Sequence, residues 1–267
     1  MADVSARGVA PREEGQPLPR ADLRDAPARA PGNGRYCVLI PVFNGGQAIA
    51  GLVGEIRSLG LPVIVVDDGS NDRTAALAAA RGALVISHLR NLGKGCALRT
   101  GFEHVLQRRF DGVVTMDGDG QHNPKEIRAL IHAGETQHAG LVLGNRLTNG
   151  AVMPFARRQT NLAMSAVISL LARQRIPDSQ CGFRFIRREV LQDVSLRARR
   201  YEIETELLLA AADRKWKIIS VPVMSTYRDQ RSHIKPLRET FRFLAILLQH
   251  LCSRLSPRRS RSPSQAP

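Results

Sequence analysis

One stretch near the middle of the chain changes abruptly from apolar to acidic: Val113-Val114-Thr115-Met116-Asp117-Gly118-Asp119-Gly120-Gln121-His122. Its first half is rich in β-branched residues and predicts a buried strand that ends at Met116. Two carboxylates one residue apart, followed by a carboxamide, place at the strand end the oxygen ligands that Mg²⁺ and Mn²⁺ prefer. The simpler alternative is an acidic turn before the helix predicted from Pro124, because Asp and Asn are ordinary helix caps.

Strand and helix patterns alternate on both sides of this stretch. Before residue 144, apolar runs typical of buried strands lie at 36–42, 62–66, 83–87, 112–116 and 141–143. Helical patterns separate them at 46–60, 74–81, after Asn91 and at 124–137. Short connections between alternating strands and helices predict an α/β fold with a doubly wound, mostly parallel sheet.

The rhythm changes after Gly144. Helices are predicted at 157–173, 202–214 and 235–255, and strands at 182–186 and 217–223. The helical spacing in 157–173 predicts that its apolar residues are buried: Leu162, Ala163, Ala166, Val167, Leu170 and Leu171. The last helix is amphipathic, and its charged residues make it too polar to cross a bilayer.

Composition divides the chain into four parts. Residues 1–34 are rich in Ala, Pro, Arg and Gly and are predicted to be a disordered arm. Residues 35–234 are predicted to form one globular domain, and residues 235–255 the amphipathic C-terminal helix. Residues 256–267 are predicted to be a basic disordered tail.

Charge narrows the kinds of partner. The chain has 39 Lys and Arg residues against 24 Asp and Glu, a net charge of +15, which implies an anionic partner such as nucleic acid, a membrane surface or a phosphate-bearing substrate. A nucleic-acid-binding protein is the distant alternative, because no helix-turn-helix, zinc-finger or RNP-type aromatic pattern occurs. Four cysteines without a C-x-x-C pair are typical of reduced thiols in the cytosol.

Three polar turns follow predicted strands in the first half of the chain. They are Pro41-Val42-Phe43-Asn44, Asp67-Asp68-Gly69-Ser70 and the run from Asp117 to His122. Parallel topology brings such turns to one edge of the sheet, where open α/β proteins bind ligands. Lys94, within Gly93-Lys94-Gly95, is placed to reach a phosphate. Neither a Walker motif nor a Gly-x-Gly-x-x-Gly run is present, which argues against a P-loop protein and an NAD enzyme.

In order and spacing these motifs resemble those of the inverting family 2 glycosyltransferases, which have the GT-A fold, and in particular the dolichyl- and polyprenyl-phosphate sugar synthases. Three later segments extend the resemblance: Gly144-Asn145-Arg146, Asp178-Ser179-Gln180-Cys181-Gly182-Phe183-Arg184 and Tyr227-Arg228-Asp229-Gln230-Arg231-Ser232-His233-Ile234. It covers about residues 36–248. It implies transfer of a sugar from a nucleotide-sugar donor of the GDP-mannose or UDP-glucose type to a polyprenyl-phosphate-like acceptor, with inversion.

The resemblance also implies roles for individual residues. The implied donor-binding residues are Pro41, Phe43, Asn44, Asp67, Asp68, Lys94, Asp117 and Gly118. Asp117, Asp119 and Gln121 would hold Mg²⁺ or Mn²⁺. The residues implied to bind the diphosphate or the acceptor phosphate are Arg146, Arg157 (or its neighbour Arg158), Arg228 and Arg231. Asp119, Asp178 and Glu204 are the implied catalytic residues.

The acceptor is left open between two chemistries. A phosphate acceptor is already anionic and needs no base, whereas a saccharide or other hydroxyl acceptor would need one, with Asp178 or Glu204 as candidates. Glu204 has a second interpretation, a solvated acid near a helix start, where the helix dipole favours negative charge. A lipid-phosphate acceptor also predicts peripheral, salt-sensitive association with an anionic membrane at its cytoplasmic face, through the amphipathic helix and the arginines that follow it.

Overall fold

The computed structural model describes residues 35–148, 153–225, 247, 248 and 250. Seven strands form one sheet: β1 (Tyr36–Val42), β2 (Val63–Asp67), β3 (Leu84–Ser87), β4 (Gly112–Thr115), β5 (Leu141–Asn145), β6 (Arg184–Arg187) and β7 (Ile218–Pro222). The α-helices are α1 (Gly46–Ser58), α2 (Thr74–Ala80), α3 (Lys94–Gln107), α4 (Ile127–Thr136), α5 (Phe155–Ala172), α6 (Arg188–Asp193) and α7 (Ile203–Asp213). A 3-10 turn at Pro124–Glu126 precedes α4.

The strand order is β3-β2-β1-β4-β6-β5-β7. The pairs β1–β2, β1–β4, β2–β3 and β5–β7 are parallel, and β6 runs antiparallel between β4 and β5. The predicted mostly parallel sheet is therefore confirmed. Since β1, β2 and β4 are mutually parallel, their carboxyl ends lie at one edge, and the polar turns that follow them meet there.

Helices cover both faces of the sheet. One apolar cluster joins α3, α5, α6 and α7 to one face of the sheet, through Cys37, Leu39 and their neighbours. The other joins α1, α2 and α4 to the opposite face, through Val38, Ile40 and their neighbours. Because side chains alternate along a strand, β1 contributes to both clusters, and the sheet is covered on both sides as doubly wound folds require.

Helix α5 corrects one expectation. Its apolar residues were predicted to be buried, yet Leu162, Val167 and Leu170 are exposed, and Leu170 keeps 78% of its surface. The buried positions are Asn161, Ser165, Ile168 and Ala172. The prediction was wrong because polar contacts, described below, fix the opposite face of the helix against the domain. The sequence also gave no signal for the short helix α6.

Several predicted segments lie outside the described residues. These are the N-terminal arm at 1–34, the basic tail at 256–267 and most of the C-terminal helix predicted at 235–255. Of that helix, Leu247 is buried against the first apolar cluster and Leu248 is 62% exposed. Among the described residues, no helix combines the length and apolar character needed to cross a membrane.

Candidate active site

The acidic turn after β4 lies at the carboxyl edge of the sheet. Met116, which directly follows β4, still pairs with β1, because its backbone N donates to Leu39 O at 3.0 Å. The acidic turn begins at the next residue, Asp117. Within the turn, Gln121 N donates to Asp119 Oδ1 at 3.0 Å. Burial, and then the charge of Asp117, raise the pKa of Asp119. This turn therefore holds two carboxylates close enough to influence each other.

His122 is the last residue of the acidic turn and is buried. It is 5% exposed, its ring lies 5.0 Å from that of Phe183, and its backbone pairs with that of Ser225. Burial lowers the pKa of His122 to about 4, although the charge of Asp117 acts in the opposite direction. The imidazole is therefore neutral at pH 7, and it packs beside the acidic turn.

Lys94 brings together two carboxylates that lie far apart in the sequence. Its Nζ is 2.6 Å from Asp117 Oδ1 and 2.7 Å from Glu204 Oε1, and it lies 5.7 Å from the centre of the Tyr201 ring. Burial alone would lower the pKa of Lys94, but the two carboxylates outweigh it and raise the pKa above its ordinary value. Burial likewise acts to raise the pKa of Asp117, but Lys94 holds it below the usual range. Lys94 was predicted to reach a phosphate, and here it bridges Asp117 and Glu204.

The glycines beside Lys94 allow the chain to approach the segment before α7. A Cβ at Gly93 would come within 2.6 Å of Arg199 O, and one at Gly95 within 2.7 Å of Ala198 O. Cys96 N donates to Arg199 O at 3.1 Å, so the two backbones are joined at this point. The Gly-Lys-Gly run thus places α3 against the start of α7 and sets Lys94 opposite Glu204.

Asp68 organises the loop that leads to Lys94. Its Oδ1 lies 2.7 Å from His88 Nδ1 and accepts from Leu92 N at 3.0 Å, and its Oδ2 accepts from Gly93 N at 2.7 Å. Asp68 is only 3% exposed. Both oxygens accept hydrogen bonds within the protein, so Asp68 positions this loop. The donor contact implied by the resemblance stays a prediction. His88 is part of this network, and its Nε2 lies 3.0 Å from Thr100 Oγ1.

The turns after β1 and β2 are locked to each other. Asn44 N donates to Ser70 Oγ at 2.8 Å, and Asn71 N donates to Asn44 Oδ1 at 2.9 Å. Asp67 Oδ1 accepts from both the backbone and the hydroxyl of Ser70. Phe43, directly before Asn44 in the sequence, is 45% exposed at the same edge. Of the residues implied to bind the donor in these turns, Phe43 therefore offers an open apolar surface, and Asn44 and Asp67 hold the two turns together.

A second carboxylate–cation pair lies deeper in the domain. Arg146 donates to Asp178 through Nε at 2.8 Å, through Nη2 at 2.9 Å and through its backbone N at 3.1 Å. Asp178 is fully buried and also accepts from Asn161 Nδ2 at 2.9 Å. Burial acts to raise the pKa of Asp178, but the hydrogen bonds and charge of Arg146 hold it below the ordinary value. Asp178 is thus poorly suited to be a catalytic base, because its oxygens are occupied and its proton affinity is low.

Helix α5 is attached to this pair by polar side chains one turn apart. Asn161 contacts Asp178, and Ser165 Oγ lies 3.1 Å from Ser179 Oγ and accepts from Ser179 N at 2.9 Å. Buried polar groups need such partners, since an unpaired one costs free energy. The hydrogen bonds therefore decide which face of α5 turns inward.

Arg184 is a residue of the site that the sequence reasoning missed. It is 1% exposed and donates to three backbone oxygens, each at 2.7 Å: Cys181 O, Ser179 O and Glu204 O. Its guanidinium also lies 3.9 Å from Glu204 Oε2. Arg184 thereby joins the loop after Asp178 to the start of α7. The sequence did contain an indication of this role, an arginine within the apolar segment Phe183-Arg184-Phe185-Ile186. A buried guanidinium needs hydrogen-bond acceptors nearby.

The acidic turn has the oxygen ligands that a divalent ion would need. Asp117, Asp119 and Gln121 offer two carboxylates and a carboxamide, the donor set suited to Mg²⁺ or Mn²⁺. Within the described ranges, no three His, Cys, Asp or Glu side chains converge to form a closed metal cage. Two carboxylates and a carboxamide are the kind of partial ligand set with which proteins share Mg²⁺ with a phosphate-bearing ligand.

The basic residues implied to bind phosphate lie in different surroundings. Arg146 belongs to the buried pair with Asp178, whereas Arg157 and Arg158 are exposed in the first turn of α5. Arg228 and Arg231 lie outside the described residues. Ser225, the last residue before that gap, pairs with His122, so the described chain ends beside the acidic turn.

Comparison with known proteins identifies the class. The profile of glycosyl transferase family 2 matches residues 37–195, which include β1 and the segments that carry Lys94, Asp117 and Asp178. The chain therefore belongs to glycosyl transferase family 2 and is an enzyme of that family.

Relatives with assigned activities make the similarity more specific. A protein of Methanococcus voltae named UDP-N-acetylglucosamine–dolichyl-phosphate N-acetylglucosaminyltransferase is 30% identical over 215 residues, covering 72% of this chain and 86% of that protein. The polyprenol monophosphomannose synthase of Mycolicibacterium smegmatis is 30% identical over 209 residues, covering 73% of this chain and 78% of that protein.

A solved structure confirms the fold. Glucosyl-3-phosphoglycerate synthase from Mycobacterium tuberculosis, in complex with Mn²⁺, uridine diphosphate and phosphoglyceric acid, superposes with a TM-score of 0.64 at 24% identity. The match covers 85% of this chain and 80% of that one. The predicted GT-A fold is thus confirmed.

Proposed function

We propose that this glycosyltransferase moves a sugar from a nucleotide-sugar donor to a polyprenyl-phosphate acceptor, with inversion at the anomeric carbon. One observation carries the choice of acceptor: both candidate bases are already paired with cations, Asp178 with Arg146 and Glu204 with Lys94. A hydroxyl acceptor would need one of them to take a proton, whereas a phosphate acceptor needs no base. The M. voltae and M. smegmatis relatives, whose names specify dolichyl phosphate and polyprenol monophosphomannose, support the same choice.

The reaction requires a nucleoside diphosphate to leave the sugar. A phosphate oxygen of the acceptor attacks the anomeric carbon, and the bond from that carbon to the donor diphosphate breaks on the opposite side. Asp117, Asp119 and Gln121 would hold Mg²⁺ or Mn²⁺, which when bound would help to neutralise the leaving diphosphate. The M. tuberculosis protein, solved with Mn²⁺ and uridine diphosphate, is consistent with this assignment.

The protein's own residues orient the reactants. Lys94 keeps Asp117 and Glu204 together, and Asp68 holds the loop from which Lys94 extends. The exposed ring of Phe43 provides an apolar surface at the same edge for the nucleoside. Arg157, at the exposed start of α5, together with Arg228 and Arg231, would pair with phosphate oxygens, a task suited to the planar guanidinium group.

The remaining assignments belong to the same proposal. A donor of the GDP-mannose or UDP-glucose type fits a family 2 enzyme, and a lipid acceptor calls for peripheral association with the cytoplasmic face of an anionic membrane. The glycosyltransferase domain would extend over residues 35–234. No partnership with nucleic acid is proposed, because an acidic edge would repel a phosphodiester backbone.

The test is a transfer assay with the purified full-length chain. Labelled sugar nucleotides are offered in turn with a detergent-dispersed polyprenyl phosphate, with or without a chelator. The matched control acceptor is the corresponding polyprenol, which has the same chain and no phosphate. We expect labelled lipid only from the phosphate acceptor and only with a divalent ion. Transfer to polyprenol or to a free saccharide, with none to the phosphate, would overturn the proposed acceptor.

A further inference from the structure

Helix α5 presents an apolar surface to the outside of the domain. This surface, here called the outward face of α5, comprises Phe155, Leu162, Ala163, Ala166, Val167 and Leu170. Phe155 and Leu170, at its two ends, are 76% and 78% exposed. The positions recur at helical spacing, and fifteen residues separate the ends, so the stripe is roughly 22 Å long. Gln159 interrupts this face between Phe155 and Leu162, and its apolar residues from Leu162 to Leu170 are adjacent on the helix. An exposed apolar cluster of this kind marks an interaction site more often than scattered exposed residues do.

The charged residues of α5 and of the segment that directly follows it all have the same sign. Arg157 and Arg158 lie at its first turn, and Arg173 and Arg175 directly follow its last turn; all four are exposed. The sequence from 154 to 177 contains no Asp or Glu. Arginine beside exposed apolar side chains is the combination that favours an anionic lipid surface, because the apolar groups enter the interface and the guanidinium groups meet the headgroups.

The same charges disfavour a second copy of the chain as the partner. Arginines flank the stripe at both ends, so parallel and antiparallel pairing of two α5 helices would each bring arginine against arginine. Like charges placed opposite each other oppose association. A bilayer that contains anionic lipids has no such conflict.

The position of α5 connects this surface to the candidate site. Its inward face, through Asn161 and Ser165, is bonded to Asp178 and Ser179. The outward face is therefore separated from the Asp178–Arg146 pair by about one helix diameter, roughly 10 Å. A membrane against α5 would place the headgroup layer on the side of the domain that carries the loop with Asp178 and Ser179.

We propose that the outward face of α5, with its flanking arginines, docks the protein on an anionic bilayer. This inference rests on the proposed lipid-phosphate acceptor, and it assigns the docking surface to α5, whereas the sequence pointed to the C-terminal helix. At that helix Leu247 is buried against the core, and His250 Nδ1 lies 3.5 Å from Asp213 Oδ2 of α7. Those two contacts attach the described part of the C-terminal helix to the domain.

The test is flotation of the full-length chain with phosphatidylcholine vesicles, with or without phosphatidylglycerol. Leu162→Gln/Leu170→Gln removes apolar surface from α5, and Leu248→Gln is the matched control, because Leu248 is an exposed leucine of the C-terminal helix. We expect the wild type to float only with the anionic vesicles and the α5 double variant to bind about tenfold more weakly or worse, since burial of leucine drives insertion. Leu248→Gln should bind as the wild type does.

Three outcomes would overturn the inference. They are no flotation of the wild type, undiminished flotation of the double variant, and loss of binding in Leu248→Gln alone, which would make the C-terminal helix the docking element. Sedimentation velocity tests whether a second copy of the chain binds this face instead. If the wild type is a dimer and the double variant is a monomer that still floats, the face belongs to a dimer interface.

A second measurement keeps the inference testable if the double variant is unstable. Leu170→Trp places a fluorophore on the outward face, and Leu89→Trp places one at a fully exposed leucine in the loop after β3. Anionic vesicles should shift the emission of Leu170→Trp to the blue and leave Leu89→Trp unchanged, and no shift at Leu170 would refute docking by α5.

Sugar transfer by the α5 variants to a short-chain prenyl phosphate in detergent should equal that of the wild type. Failure of that transfer in the wild type would instead count against the proposed function.

Discussion

Asp117 and Asp178 both pair with a cation, but their surroundings differ. The side chain of Asp117 is 32% exposed and shares one lysine ammonium with Glu204. The side chain of Asp178 is fully buried and is held by a two-pronged arginine and an asparagine. A flexible ammonium at an open edge can be exchanged for another cation, whereas a buried guanidinium fork cannot leave without breaking the fold. We therefore expect the Asp117–Lys94 pair to take part in ligand binding and the Asp178–Arg146 pair to stabilise the fold.

The largest expected effect concerns the buried pair. Asp178→Asn removes the counter-charge closest to the Arg146 guanidinium, and breaking a buried ion pair typically costs about 3–5 kcal/mol of stability. Urea unfolding would measure the loss. Asp193→Asn is the matched control, because the side chains of the Asp193–Arg214 pair are 34% and 54% exposed and the pair should contribute less than about 1 kcal/mol. Equal effects at the two positions would refute the architectural role of Asp178.

The second prediction concerns pH and the buried imidazole beside Asp117. Its pKa is lowered from 6.5 to about 4, so between these values the unfolded chain binds a proton that the folded chain does not. Stability in chelator should therefore fall as the pH drops from about 6.5 to 4, by roughly 3 kcal/mol from this group. Urea unfolding across this range, for the wild type and His122→Gln, isolates the contribution. The variant should lack it, and parallel curves would contradict a buried neutral His122.

The third prediction tests the open site. Asp119→Asn should keep its fold but lose about 100-fold in turnover, since one ligand charge is removed from an ion that would neutralise the diphosphate. Turnover is measured across a Mg²⁺ and Mn²⁺ series and after chelation. Glu103→Gln, an exposed acid on α3, serves as the control and should behave as the wild type. Full activity of Asp119→Asn, or indifference to chelator, would remove the ion from the mechanism.

The smallest effect is expected at Glu204. Glu204→Gln keeps an oxygen for Lys94 and should stay within about tenfold of the wild-type rate, below the 10²–10⁴ that a general base contributes. Arg157→Ala and Arg228→Ala should each reduce the rate further, since guanidinium groups bind phosphate bidentately. Initial rates with the polyprenyl phosphate decide the order. A large loss at Glu204 with little loss at the arginines would favour the hydroxyl acceptor.

Local patterns in the sequence predicted the sheet and its acidic edge well. Apolar runs at β1, β2 and β4 end in polar turns, and both features are short-range signals that survive folding. The sequence shows Gly93 and Gly95 but does not show why glycine is required there. The backbone that leaves no room for a side chain lies about a hundred residues away, in the segment before α7.

The failure at α5 has a physical cause. Its apolar face was expected to be buried, but hydrogen bonds join Asn161 and Ser165 to Asp178 and Ser179 in the loop that follows the helix, and they turn the opposite face inward. Polar partners outside the helix outweighed its local periodicity, and no pattern within one helix records such partners.

Lys94 has one further consequence for the protein before any ligand binds. An ammonium covalently attached to the same chain acts on Asp117 and Glu204 at a fixed effective concentration, unlike a cation drawn from solution. Direct contacts at 2.6 and 2.7 Å are also shorter than any distance over which dissolved salt screens charge. At rest, Asp117 and Glu204 therefore have a counterion from the same chain, and dissolved salt weakens these two contacts little.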